Sequence, residues 1–253
     1  MRASLSSFFF LVYCVHRCVI MPLLVCIARR LSRAQTKPIP QWKIYLKSMM
    51  RGGLFAALAL LVASLNQFPV FGSSSIDLKT VLLASAFLAL MLGVDSLEWK
   101  YTSVARKKRL LIIAPRTAQD RLLWVPVSLV AGIGEEVIFR AVLFGIFYGI
   151  IGDYWIAAGI SALFFASTHL SMAGLLSSIG LFFVALILQW FVKVSGGLYI
   201  AIAVHFLHNL INGIAYGAVI KTTEDMAPTG KGIDSSEMAV TDSQAQTTSN
   251  AQQ

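Results

Sequence analysis

The chain has 253 residues, of which 57% are hydrophobic and 13% are charged, and its mean hydropathy is +0.73. A soluble domain has about 45–50% apolar and about 25% charged residues, so this composition indicates an all-α, polytopic membrane protein. The net charge of +9 does not indicate a nucleic-acid partner, because Lys and Arg cluster between the apolar runs. That distribution is the one that the positive-inside rule expects of a membrane protein.

The N-terminal part of the chain, residues 1–121, is predicted to hold three membrane-spanning helices and two basic loops. A spanning helix needs about 20 mostly apolar residues. Three stretches meet this requirement, at residues 5–28, 52–72 and 81–99. A signal peptide is the competing interpretation of the first stretch, but no clear A-x-A cleavage pattern follows it. The basic loops, residues 29–51 and 100–121, are predicted to lie in the cytoplasm.

Residues 122–219 are predicted to form a helical core of four further spans, which gives about seven spans in total. Residues 122–151 make a helix longer than the 30 Å hydrocarbon layer, so it must tilt, protrude or break, the last near Gly132 and Gly134. Short loops follow, so the last four spans should be antiparallel neighbours. Residues 220–253 are polar and are predicted to be a disordered tail that starts on the cytoplasmic side.

The first of three polar motifs in this core is Glu135-Glu136-x-x-x-Arg140. Charge inside a membrane span is costly, so it favours a functional interpretation. Adjacent glutamates on a helix point about 100° apart. Glu136 and Arg140 have the i,i+4 spacing of an ion pair, which leaves Glu135 free to act as a general base on water. A purely structural ion-pair network is the alternative.

The second and third motifs add imidazole and amide groups. Phe165-x-x-x-His169 places His169 near the end of its span, where a lone histidine is usually structural. His205-x-x-x-Asn209 puts both residues on one helical face, at a spacing that suits metal ligands. Asn209 could donate to an oxyanion or orient an imidazole. Interhelical hydrogen bonding is the alternative, and His208 is left outside the predicted site.

Together the three motifs predict a hydrolytic site. They lie on segments joined by short loops, so two imidazoles, a carboxylate and an amide can converge in one cavity. Such a set suits activation of water by the carboxylate, with the imidazoles holding the water or a metal and the amide polarising a carbonyl. The reaction class indicated is amide hydrolysis. No H-E-x-x-H motif occurs, which excludes the usual zincin arrangement.

This ordered triplet of motifs resembles the CAAX protease and bacteriocin-processing (CPBP) family of intramembrane proteases, which includes the type 2 CAAX prenyl endopeptidases. Phe139-Arg140 resembles the end of the family's first motif, and Ser195-Gly196-Gly197-Leu198 resembles its small-residue turn. Ala141 stands where many members have glycine, a small change. The resemblance covers residues 122–213.

The resemblance implies a role for each motif residue. Glu135 would activate water, Asn209 would stabilise the oxyanion, and His169 and His205 would orient the water or ligate a divalent metal, usually zinc. The supporting residues would be Glu136, Arg140 and Phe165. The expected substrate is a peptide or protein, with a prenylated C-terminal CaaX sequence as the family precedent, and the other expected partners are membrane lipids.

Three alternatives to an endopeptidase stay open at this point. One is a non-catalytic membrane scaffold or bacteriocin-immunity protein of the same fold. Another is a proton or metal transporter, since intramembrane Glu and His also build relays, although the internal repeats that would favour it are not seen. The last is ligation of a haem by His169 and His205.

Overall fold

The computed structural model describes residues 5–31, 40–72, 76–102, 107 and 113–225. These residues form α-helices with two π-helical segments, and none of them lies in a β-strand. Within the described ranges, seven helices are long and apolar enough to cross a membrane. The predicted all-α bundle of about seven spans is confirmed, and the chain is a multi-pass integral membrane protein.

Each span is a single helix or a helix with a π-helical insert. The first span consists of α1 (Leu5–Cys14), π1 (Val15–Ile20) and α2 (Met21–Leu31). The next two are α3 (Gln41–Asn66) and α4 (Leu78–Tyr101). The fourth consists of α5 (Ala118–Glu136), π2 (Val137–Leu143) and α6 (Phe144–Ile151). The last three are α7 (Tyr154–Ala173), α8 (Leu175–Ser195) and α9 (Tyr199–Asp225).

The chain divides into two units. The first unit, Met1–Gly217, contains the first six spans and α9 as far as Gly217. The second unit is Ala218–Gln253. Of the second unit the structure describes the end of α9. Most of the predicted polar tail therefore lies outside the described residues.

Two helices begin inside stretches predicted to be basic loops. Helix α3 begins at Gln41, directly after Pro40, because basic side chains at a helix end can extend toward the headgroups without ending the helix. Helix α5 begins at Ala118, where Thr117 and Asp120 form a capping box. Each side chain accepts a hydrogen bond from the other residue's backbone N–H at 3.0 Å, and this reciprocal cap stabilises the first turn.

The long fourth span does not break at Gly132 or Gly134. The helix continues through both glycines, and its irregular part is π2, which starts directly after Glu136 and whose residues are all buried. The glycines instead let helices approach closely. A Cβ atom on Gly132 would lie 3.1 Å from the backbone nitrogen of Phe206, and one on Gly134 would lie 3.3 Å from Cβ of Ala56.

Both π-helical segments are fixed to α7 by a serine hydroxyl. Ser161 donates to the backbone carbonyl of Phe139 in π2 at 2.5 Å, and Ser167 donates to the backbone carbonyl of Cys18 in π1. A π-helical turn disturbs the regular i→i−4 ladder and exposes its carbonyls to such outside donors. Helix α7, which carries the second motif, is thus held between the first and fourth spans.

Very short turns keep the last four spans together. Gly152, at φ 77°, and Asp153 alone connect α6 to α7, and Gly174, at φ 84°, alone connects α7 to α8. Both glycines lie in the left-handed region, where a Cβ atom would be strained. Asp153 then caps α7 by accepting a hydrogen bond from the Ile156 N–H at 2.8 Å. These turns make α6, α7 and α8 close neighbours.

Candidate active site

A buried charged cluster lies where α5 meets α9. Glu136, which has no exposed surface, accepts a hydrogen bond on Oε1 from Nδ1 of His205 at 2.7 Å. Its other oxygen, Oε2, lies 3.3 Å from Nε of Arg140, which is also buried. Both oxygens of Glu136 therefore face cationic or donor groups of the protein, and His205 is left with Nε2 available.

Glu135, although adjacent in sequence, lies in a different environment. Its side chain is 32% exposed, and its Oε2 lies 3.7 Å from Nε2 of His205. That separation is longer than a hydrogen bond. Among the described residues, none donates a hydrogen bond to Oε2 of Glu135. The two adjacent glutamates thus lie next to different nitrogens of one imidazole, Glu136 at hydrogen-bonding distance from Nδ1 and Glu135 further away from Nε2.

Phe165 is the shared neighbour of the charged groups and the second histidine. The Arg140 guanidinium carbon lies 4.3 Å from the centre of its ring, in cation–π contact. The His205 ring meets it edge-on at 6.1 Å between centroids, and the His169 ring lies at 4.8 Å. Helix α7 therefore brings His169 to the same aromatic wall as His205.

His169 is oriented by the backbone of its own helix. Its Nδ1 lies 3.0 Å from the carbonyl oxygen of Phe165 and 2.8 Å from the hydroxyl of Thr168. Because a carbonyl oxygen only accepts, Nδ1 carries a hydrogen and donates it to Phe165, and Nε2 takes no part in these two contacts. Each histidine thus has one nitrogen fixed by the protein and one left for chemistry.

Asn209 lies one turn beyond His205 on α9. Its backbone carbonyl accepts a hydrogen bond from Nε1 of Trp124 on α5 at 3.0 Å. Within the described ranges, its side chain makes no hydrogen bond to the other predicted site residues. The structure thus joins Glu135, Glu136, Arg140, Phe165 and His205 in one contacting set, with His169 joined through Phe165 and Asn209 through its helix.

The predicted zinc ligands do not form a complete metal site. The described residues include no group of three or more His, Cys, Asp or Glu side chains placed to hold a metal ion. A catalytic zinc site usually has three protein ligands. His169 and His205 supply two, each with its other nitrogen hydrogen-bonded as metal ligands usually have. Zinc therefore stays a prediction.

A second polar cluster was missed by the sequence analysis. Asp95 of α4 lies 2.6 Å from Nε2 of His208 and 2.5 Å from Nδ2 of Asn212, both on α9. The signal was available, because Asp95 is a charged residue inside an apolar span, as the residues of the first motif are. His208 lies outside the predicted site, and its partner Asp95 is 113 residues away in sequence.

The close packing of Trp124 on α9 leads to a stability prediction. A Cβ atom on Gly213 would lie 2.0 Å from Nε1 of Trp124, so Gly213→Ala must displace the indole and break its hydrogen bond to Asn209. We expect thermal unfolding in detergent to show that the free energy of unfolding of Gly213→Ala is lower by about 1–3 kcal/mol. The control is Gly149→Ala, since a Cβ atom there has no neighbour within 4 Å. Equal stability of the two variants would contradict this packing.

Comparison with known proteins finds a family model that matches most of this core. Residues 117–211 match the family model described as Type II CAAX prenyl endopeptidase Rce1-like. No curated protein and no solved structure matches the chain. The matched segment starts at the capping box of α5 and includes every residue of the predicted site, which confirms the resemblance found in the motifs. The segment of residues 117–211 is therefore similar to the Rce1-like family of type II CAAX prenyl endopeptidases.

Proposed function

We propose that the protein is an integral membrane endopeptidase that hydrolyses a peptide bond with a water molecule activated by Glu135. The observation that carries this proposal is the 3.7 Å gap between Oε2 of Glu135 and Nε2 of His205. Two polar groups separated by slightly more than a hydrogen bond form a natural position for a bridging water. The gap lies beside a buried cluster that holds one of the two groups, His205, in place.

The different exposure of the two glutamates supports the assignment of the base. Glu136 is completely buried, and both its oxygens face His205 or Arg140. The Glu135 side chain is 32% exposed, although its Oε2 atom is buried, so solvent reaches other atoms of this side chain. A general base must lie within hydrogen-bonding distance of the water whose proton it takes. We therefore assign the base to Glu135, whose side chain is partly exposed, and assign to Glu136 the orientation of the imidazole.

In the proposed reaction, the water gives one hydrogen bond to Glu135 and one to Nε2 of His205, because Nδ1 of that ring donates to Glu136. Its oxygen attacks the scissile carbonyl carbon while Glu135 takes the proton. The amide of Asn209 stabilises the resulting oxyanion, and His169 helps to orient the water. The C–N bond then breaks, and Glu135 returns the proton to the leaving amine.

The substrate class is proposed from the family. The matched family model is that of a type II CAAX prenyl endopeptidase, so we propose a peptide or protein with a prenylated CaaX end as substrate. The C-terminus of the chain is proposed to lie in the cytoplasm, because basic residues cluster in the stretches 29–51 and 100–121. Zinc, if it is used, would be bound by Nε2 of His169 and His205.

Cleavage of a farnesylated CaaX peptide tests the proposal. The purified full-length protein in lipid vesicles is incubated with the farnesylated peptide and with its unprenylated twin, and products are identified by mass spectrometry. We expect cleavage after the prenylated cysteine, little cleavage of the twin, and an unchanged rate in the presence of EDTA. Loss of activity in EDTA that zinc restores would instead make the two histidines metal ligands. Absence of cleavage of both peptides would remove the support for this substrate class.

A further inference from the structure

The polar cluster between α4 and α9 has a geometry that depends on a single oxygen. Oδ2 of Asp95 accepts from Nε2 of His208 at 2.6 Å and from Nδ2 of Asn212 at 2.5 Å. The two donors lie 3.0 Å apart and are related by i,i+4 on α9. Asp95 therefore holds two adjacent turns of α9 with one carboxylate.

This cluster lies on the same face of α9 as the candidate active site. With 3.6 residues per turn, His205, His208, Asn209 and Asn212 fall within an arc of about 100°. His208 lies about 4.5 Å and Asn212 about 10 Å beyond His205 along the helix axis. Asn209, the proposed oxyanion donor, thus lies between the contact of His205 with Glu136 and the contact of Asn212 with Asp95.

Two separated contacts from different helices help to fix the rotation of α9 about its axis. Glu136 holds His205 from the end of α5, whereas Asp95 holds the next turns from α4. On the α5 side, Trp124 also donates a hydrogen bond to the Asn209 carbonyl, and any remaining rotation of α9 about its axis would move the Asn209 side chain sideways. The second contact opposes that rotation, because it acts further along the same face.

Helix α4 runs alongside α9 in the same direction beyond this cluster. Trp99, one turn after Asp95, stacks on Tyr216, two turns after His208, with ring centroids 4.8 Å apart. The side chains of Asp95 and His208 are only 24% and 16% exposed. A partly buried carboxylate in a membrane span is costly unless it is hydrogen-bonded. Both α4 and Asn212 lie outside the matched segment, residues 117–211.

We propose that Asp95 is a positioning residue of the active site, which holds α9 through His208 and Asn212 so that His205 and Asn209 face the substrate. This inference rests on the proposed function for its kinetic consequence. Its structural part, the clamping of α9 by α4, stands apart from catalysis. Asp95 itself touches none of the reacting groups.

Three variants of the full-length protein test the proposal. Asp95→Ala removes the clamp. Asp95→Asn keeps it, because the amide oxygen can accept both hydrogen bonds that Oδ2 now accepts. Ser177→Ala is the matched control, since the Ser177 hydroxyl makes a similar 2.5 Å contact from α8 to Glu98 on the same helix α4. Each variant is measured for kcat and KM on the farnesylated peptide and for hydrogen–deuterium exchange over residues 199–217.

We expect Asp95→Ala to lower kcat on the order of 10- to 100-fold with little change in KM, since small misplacement of reacting groups has effects of this size. Its exchange over residues 199–217 should be faster than that of the wild type. Asp95→Asn should recover most of the rate, and Ser177→Ala should behave like the wild type in both measurements.

Several results would overturn the positioning role. They are a normal kcat in Asp95→Ala, an equal loss in Ser177→Ala, and failure of Asp95→Asn to recover the rate. If the wild type cleaves no peptide, the proposed function has failed, and exchange alone then judges the clamp. Faster exchange of α9 in Asp95→Ala than in Ser177→Ala would support it, and identical exchange in the two variants would refute it.

Discussion

Glu135→Gln is expected to abolish peptide cleavage while the protein remains folded. Glutamine has the same shape as glutamate but cannot take a proton from water, and loss of a general base lowers the rate by about 10²–10⁴-fold. Folding should be little affected, because the Glu135 side chain is 32% exposed and Arg140 contacts Glu136 instead. The measurement is kcat on the farnesylated peptide, together with the unfolding temperature in detergent.

The unfolding temperature shows whether a loss of cleavage in Glu135→Gln is specific to catalysis. If cleavage is lost in Glu135→Gln at an unchanged unfolding temperature, the base is assigned. Normal cleavage by Glu135→Gln would show that the mechanism is wrong. Cells that carry Glu135→Gln and show the same phenotype as a deletion of the whole protein would also argue against a non-catalytic scaffold, because a scaffold does not need that carboxylate.

Glu136→Ala is expected to destabilise the fold itself. Glu136 is completely buried, contacts Arg140 at 3.3 Å and holds His205 at 2.7 Å, so its removal leaves a buried guanidinium without a counter-charge. Breaking a buried ion pair by removing one partner costs about 3–5 kcal/mol. We expect a large fall in unfolding temperature and in the yield of folded protein, measured by size-exclusion chromatography in detergent.

Two further variants separate charge from packing at this position. Glu135→Ala truncates the neighbouring side chain by the same atoms and should lower stability far less, because that side chain is partly exposed. The double variant Glu136→Gln, Arg140→Met removes both charges together and should be more stable than Glu136→Ala. Equal stability of Glu136→Ala and Glu135→Ala would contradict the buried cluster.

The fold class follows from the sequence because a bilayer places strong demands on composition. Every backbone group inside the hydrocarbon layer must be hydrogen-bonded within the protein, so apolar runs of about 20 residues become helices. The ends of helices were less predictable. The start of α5 at Ala118 depends on a capping box formed by Thr117 and Asp120. The sequence predicted a basic loop there because Lys and Arg are frequent in this stretch. The position of π2 after Glu136 also carried no clear sequence signal.

The sequence by itself predicted which residues form the candidate site, since charged and polar side chains are rare in the spans and stand out by residue type and spacing. The i,i+4 contact of Glu136 with Arg140 is observed because helix geometry alone brings such residues together. Only the tertiary structure decided which glutamate side chain is partly exposed and that Asp95 is hydrogen-bonded to α9. Those facts depend on contacts between residues up to 117 positions apart, as Asp95 and Asn212 are. Helical periodicity relates only neighbours a few residues apart, so no local pattern could reveal them.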